Sequence, residues 1–92
     1  MPRQKAVKAE KQTFGQLLKS KRKKAGKSQE KLAAAVNTTR YQISRFERGL
    51  RYPREHMLVA MAEYLKAPLR KLLYAMVRER ETKEEFKRAA RV

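Results

Sequence analysis

Cysteine is absent from this 92-residue chain, and histidine occurs once. The first absence excludes a disulfide framework and any thiolate metal site. With a single histidine there is no Cys/His cluster to hold zinc either. Acids are scarce: nine against 25 Lys and Arg, a formal net charge of +16. No apolar run approaches the roughly 18–20 residues of a membrane span. The N-terminus lacks the apolar stretch of a secretory signal. Alternating strand patterns and internal repeats are missing too. So are a phosphate-cradling glycine loop and any nucleophile–base arrangement, and neither a catalytic residue, a cofactor nor a metal is expected. What remains is a non-enzymatic, soluble protein of one modest domain, placed in the cytoplasm by default. Its charge favours anionic partners, nucleic acid before membrane.

The charge is uneven along the chain. Residues 1–27 carry ten basic groups against Glu10 alone, a net of +9. Residues 1–12, "MPRQKAVKAEKQ", have little apolar content and no period, and read as a flexible basic arm. The segment 13–77 follows a helical code. Thr13 and Gln16 have the spacing of a capping box ahead of Phe14, Leu17 and Leu18, so helix 1 is expected from Phe14 to Ala25, with Gly26 as its left-handed stop. Ser28 can cap helix 2, with Leu32, Ala33 and Val36 on one face. Asn37 suits positive φ, and Thr38 can cap helix 3, which reaches Phe46 and ends near Gly49. Pro53 is expected to open helix 4, with the stripe Met57, Leu58, Met61, Ala62 and Leu65. Pro68 fits the first turn of helix 5, where Leu69, Leu72, Leu73, Met76 and Val77 recur at helical spacing.

The expected fold class is all-α, a compact domain of five short helices. Residues 78–92 are highly charged, with pairs such as Glu79–Lys83 and Glu84–Arg88 and a small apolar face of Phe86, Ala89 and Ala90. They continue helix 5, form a separate turn, or fray. The part of helix 5 and the tail that the core leaves unused is a candidate dimer or partner surface.

Helix 3 poses the functional question. At about 100° per residue, Ile43 and Phe46 lie within about 60° of each other and mark the buried side. Tyr41, Ser44 and Arg45 then fall nearly opposite, with Arg40 on the flank. Two guanidiniums and a phenol thus point away from the protein. Ala33 is small enough to let helix 2 approach Ile43, and the short "NTT" turn holds the two helices at a steep angle.

The stretch "KSKRKKAGKSQEKLAAAVNTTRYQISRFERG" resembles the helix-turn-helix of phage repressor and Cro-type DNA-binding domains, the broad xenobiotic-response-element class of bacterial regulators. The matching residues are Gln29, Leu32-Ala33, Val36, Ile43-Ser44 and Phe46 to Gly49, and the register Pro53, Leu58, Met61, Leu65 follows. There are two departures. Asn37 stands where glycine is usual, and Lys27 where an apolar residue is common, so that corner is expected to be more solvated.

The resemblance implies a major-groove reader of double-stranded DNA, with helix 3 presenting its N-terminal half to base edges. It puts Thr39, Arg40, Tyr41 and Arg45 at the reading positions, with Gln42 and Ser44 as lesser candidates. Gln29 would meet phosphate, and Arg51, Tyr52 and Arg54 would clamp it further along. Lys19 and Lys23, with Arg3, Lys5, Lys8 and Lys11 of the arm, would add nonspecific attraction. Arg22 and Glu47 are implied as an ion pair locking helix 1 to the motif. The function implied is a transcription regulator of bacterial, phage or plasmid origin. It would be a repressor, or in the alternative an activator that touches polymerase, that binds a near-palindromic operator as a homodimer and resides with the nucleoid. An antitoxin or bridging protein that binds a partner through residues 78–92 is the second reading. Nonspecific compaction or RNA binding would follow if charge alone did the work.

Overall fold

The computed structural model describes residues 12–91, with side chains to Glu81. The basic arm before residue 12, Val92 and the proposed Glu84–Arg88 pair lie outside the described residues and side chains. Five helices follow one another: α1 Phe14–Lys24, α2 Gln29–Ala35, α3 Arg40–Glu47, α4 Glu55–Leu65 and α5 Leu69–Arg91. Among the described residues there is no strand, and no helix is long and apolar enough to cross a membrane.

Local chemistry explains the boundaries. Thr13, Ser28 and Thr39 each accept a hydrogen bond from the backbone N–H three residues on, at Gln16, Lys31 and Gln42. Thr13 and Gln16 do form the reciprocal capping box. Helices α1 to α4 stop in one way. A residue in the left-handed region follows the last turn, and the next N–H reaches back five residues: Lys27 to Arg22, Thr38 to Ala33, Leu50 to Arg45, Ala67 to Ala62. The left-handed residues are Gly26, Asn37, Gly49 and Lys66, with φ of 73°, 61°, 77° and 54°.

Three expectations need correcting. Thr38 closes the end of α2 through its bond to Ala33, so the cap of α3 falls one residue later, on Thr39. Pro53 is buried ahead of α4 and does not open it: Arg54 is the extended N-cap and its carbonyl accepts the first helical bond, from Leu58. Helix 5 is no short helix, but one continuous helix of 23 residues to Arg91, about 35 Å at the usual rise.

The core gathers Phe14 and Leu18 from α1, Leu32, Ala33 and Val36 from α2, and Ile43 and Phe46 from α3. Leu58, Met61, Ala62 and Leu65 of α4 complete it with Leu72 and Met76 of α5. Packing runs α1 on α3 and α5, α2 on α3 and α4, and α4 on α5. The helix 5 stripe splits: Leu69 and Leu73 are half-buried, and Val77 is exposed. Gly15 sets the approach of α1 to α3. A Cβ there would lie 2.8 Å from the Phe46 carbonyl oxygen and closer still to that of Glu47. Both are backbone atoms that cannot swing aside, so α1 lies this close to the end of α3 only because residue 15 has no side chain.

Candidate nucleic-acid interface

Helix α3 is held from behind by an ionic junction. Arg22 of α1 donates from Nε to Glu47 Oε2 at 2.6 Å and from Nη2 to Oε1 at 3.2 Å. Its Nη1 donates to the Lys27 carbonyl at 2.9 Å. Gln29, the first residue of α2, donates from Nε2 to the same Glu47 Oε1 at 3.0 Å. Arg22 and Glu47 are both buried. Planar guanidinium and carboxylate meet two bonds at once, a geometry that fixes orientation as well as distance. The junction therefore ties the last residue of α3 to α1 and to the start of α2. Gln29, implied as a phosphate contact, has an amide N–H engaged here on Glu47.

The outward side of α3 is built differently. Ile43 and Phe46 are buried, at 0% and 3% exposure, and fix the helix rotation. Arg40 is exposed, as is Tyr41 at 64%. Arg45, half-buried, sets its guanidinium carbon 5.6 Å from the centre of the Tyr41 ring. A cation over an aromatic face is held in place, so Tyr41 and Arg45 form one stacked unit beside Arg40. Ser44 is half-buried. Thr39 is exposed, but its hydroxyl oxygen caps the helix by accepting from Gln42 N–H at 3.2 Å. Gln42 turns inward: its Oε1 is buried and finds no hydrogen-bond partner among the described residues. The first turn of α3 contains no acid, which leaves the positive end of its dipole uncompensated and open to an anion.

The phosphate candidates divide similarly. Lys19 and Lys23 are exposed and lie one turn apart on α1; Arg51 and Arg54 are exposed in the segment after α3. Tyr52, between them, is placed otherwise. Its hydroxyl donates to Glu79 Oε1 of α5 at 2.7 Å, and its ring lies 6.1 Å from that of Phe14. Lys27 is half-buried, its ammonium 5.3 Å from the centre of the Tyr64 ring, so the corner expected to be solvated is partly covered.

Glu79 has contacts that its sequence context did not announce. Its Oε2 accepts the backbone N–H of Phe14, at the start of α1, while Oε1 takes the Tyr52 hydroxyl. It thus faces inward, toward α1 and the segment after α3; the expected partner Lys83 has its side chain outside the described ones. The available signal was its register: Leu72, Met76 and Glu79 step by four and three, the row that faces the core.

Such an arrangement, a short braced helix presenting arginines beyond a second helix, is a DNA-reading geometry. A family model described as helix-turn-helix matches residues 18–72. The chain belongs to that family, in its phage repressor and Cro-type class. It is thereby a DNA-binding transcription regulator.

Solved structures agree with this placement of the helix-turn-helix chain. The P22 c2 repressor bound to a synthetic operator is 28% identical, with a TM-score of 0.63 over 66% of this chain and 92% of that one. The restriction-modification controller protein C.AhdI from Aeromonas hydrophila is 34% identical, with a TM-score of 0.60 over 64% and 86%. SinR, in its complex with SinI, is 27% identical, with a TM-score of 0.62 over 87% and 80%. No curated protein matches the sequence at a significant level.

Proposed function

We propose that the protein is a sequence-specific repressor that binds a near-palindromic operator as a homodimer, with α3 in the major groove. The observation that carries this is the division of α3 into a face locked by Ile43, Phe46 and Glu47 and a face offering Arg40, Tyr41 and Arg45. Arginine forks onto guanine O6 and N7, the commonest specific contact in the groove. The Tyr41–Arg45 stack orders one such fork before DNA arrives, and Arg40 supplies another. Lys19, Lys23, Arg51 and Arg54 then hold phosphates on either side. That the P22 c2 repressor takes up an operator supports the same role for this chain.

A single helix of this length covers few base pairs, so two copies about one helical turn apart are needed for useful discrimination. Tyr74 and Val77, exposed at 64% and 41% on α5, provide an apolar surface for the second copy. With DNA occupied, repression by exclusion of polymerase is the simplest mechanism.

The second reading, a partner protein gripping residues 78–92, is favoured by one observation. Helix α5 continues about 18 Å past Glu79, the residue that bonds it to Phe14 and Tyr52. SinR assembles with SinI protein. Selection of bound duplexes from a randomised pool tests the main reading: an enriched motif with two related half-sites is expected. Retention of random duplex without enrichment would reduce the protein to a nonspecific binder.

A further inference from the structure

The carboxylate of Glu79 sits where three elements meet. Helix α5 carries it, the N-terminus of α1 donates to Oε2 through Phe14, and the segment after α3 donates to Oε1 through Tyr52. The α1 N-terminus has no acid of its own in the first turn. Its capping box serves the N–H groups of Thr13 and Gln16, and the Phe14 N–H goes to Glu79. An anion from another helix thus adds to the cap and answers the positive end of the α1 dipole. Next to Phe14 is Gly15, pressed on the carbonyls that end α3. Flanking Tyr52 are the exposed Arg51 and Arg54. One side chain on α5 therefore bears on both the seat of α3 and the segment that carries two cations.

We propose that Glu79 is a positioning residue for the DNA interface, and that it couples the outer part of α5 to phosphate binding by Arg51 and Arg54. Helix α5 is continuous from Leu69 through Glu79 to Arg91. A load on its outer turns, from a second copy or another protein, is carried as a rigid rod to the carboxylate and from there to the loop. The consequence for DNA rests on the DNA-binding reading above; the coupling between α5 and the loop stands on the hydrogen bonds alone.

The test compares the full chain with Glu79→Gln, Tyr52→Phe, their combination, and Glu81→Gln. Glu81 is exposed on the same helix, so its variant makes the same change in net charge without touching the junction. Binding to a random-sequence duplex is measured against salt, with melting curves to show that each variant is folded. Each phosphate contact contributes about 0.9 to the slope of log affinity against log salt. Glu79→Gln is expected to lower that slope by about one to two, and Tyr52→Phe to lower it in part. The combination should fall no further than Glu79→Gln, because the two act through one contact. Glu81→Gln should keep the slope and bind slightly tighter. A merely destabilising change would reduce the active fraction and leave the slope alone. Equal slopes for Glu79→Gln and Glu81→Gln, or additive losses in the combination, would overturn the proposal.

A second measurement separates this failure from failure of the DNA reading. In the free protein, backbone amide resonances of Phe14, Arg51, Tyr52 and Arg54 should move in Glu79→Gln and stay in Glu81→Gln. Unmoved loop amides would overturn the coupling whether or not the wild-type chain binds the duplex. If Glu79→Gln does not fold, the amide shifts and salt slope of Tyr52→Phe decide in the same way.

Discussion

Arg22 and Arg45 are both guanidiniums lying beside a partner, yet their removal should have different consequences. Arg22 is buried and forked onto Glu47. Its loss strands a buried carboxylate, and breaking a buried pair this way costs about 3–5 kcal/mol. Against the roughly 5–15 kcal/mol that holds a domain together, that is a large fraction. Arg22→Ala should therefore show a much lower melting temperature, and whatever remains folded should bind every DNA sequence less well. Lys66 gives the opposite sign. It is exposed and holds φ at 54°, where a side chain is crowded against its own backbone. Lys66→Gly relieves that crowding against a loss of chain entropy, a net gain of about 0.5–1 kcal/mol. Thermal melting should show a rise of a few degrees with DNA specificity unaltered.

Among the elements, α1 to α4 were largely legible from sequence, because caps and apolar spacing are local signals. Thr13, Ser28, Gly26 and Gly49 each announced a boundary that the backbone respects. The misreadings came where two local signals competed. Thr38 and Thr39 are equally good caps, and only the bond from Thr38 to Ala33 decides between them. Pro53 carries a helix-start signal, but tertiary packing buries it outside the helix. Gly15 gave no signal, since its reason lies in the backbone of another helix. Glu79 and Tyr52 meet across 27 residues, a contact that no periodicity announces. Within α3 the outward set was visible from rotation alone, though the inward turn of the Gln42 amide was not.

Helix α5 carries the element-scale prediction. A chain ending after Glu81 keeps the Glu79 junction and the described core, and removes the outer turns. It should fold with nearly unchanged melting temperature. If those turns contribute to the homodimer, it should sediment as a smaller species and lose more affinity for a duplex with two half-sites than for one with a single half-site. Full dimerisation of the shortened chain would place the contact elsewhere than on the outer turns.

At the scale of the whole molecule, a net charge of +16 favours attraction to DNA that weakens as salt rises. Charge by itself does not make a regulator; it supplies the background against which base reading must be seen. Residues 1–11 contribute four of the cations and one acid. Their removal should flatten the slope of log affinity against log salt and weaken specific and random duplexes alike. An unchanged slope would show that the arm stays off the DNA.

The central claim is that α3 reads base edges with Arg40 and Arg45, and binding across single-base variants of the selected operator tests it most directly. Each arginine–guanine fork is worth about 1–3 kcal/mol of discrimination. Arg40→Ala and Arg45→Ala should each keep the wild-type melting temperature, because Ile43, Phe46 and Glu47 fix the helix without them. Each should lose preference at one base pair in every half-site, while affinity for random duplex falls only slightly. If both variants instead weakened all duplexes equally at normal stability, these arginines would be holding phosphates, and the bases would be read by other groups.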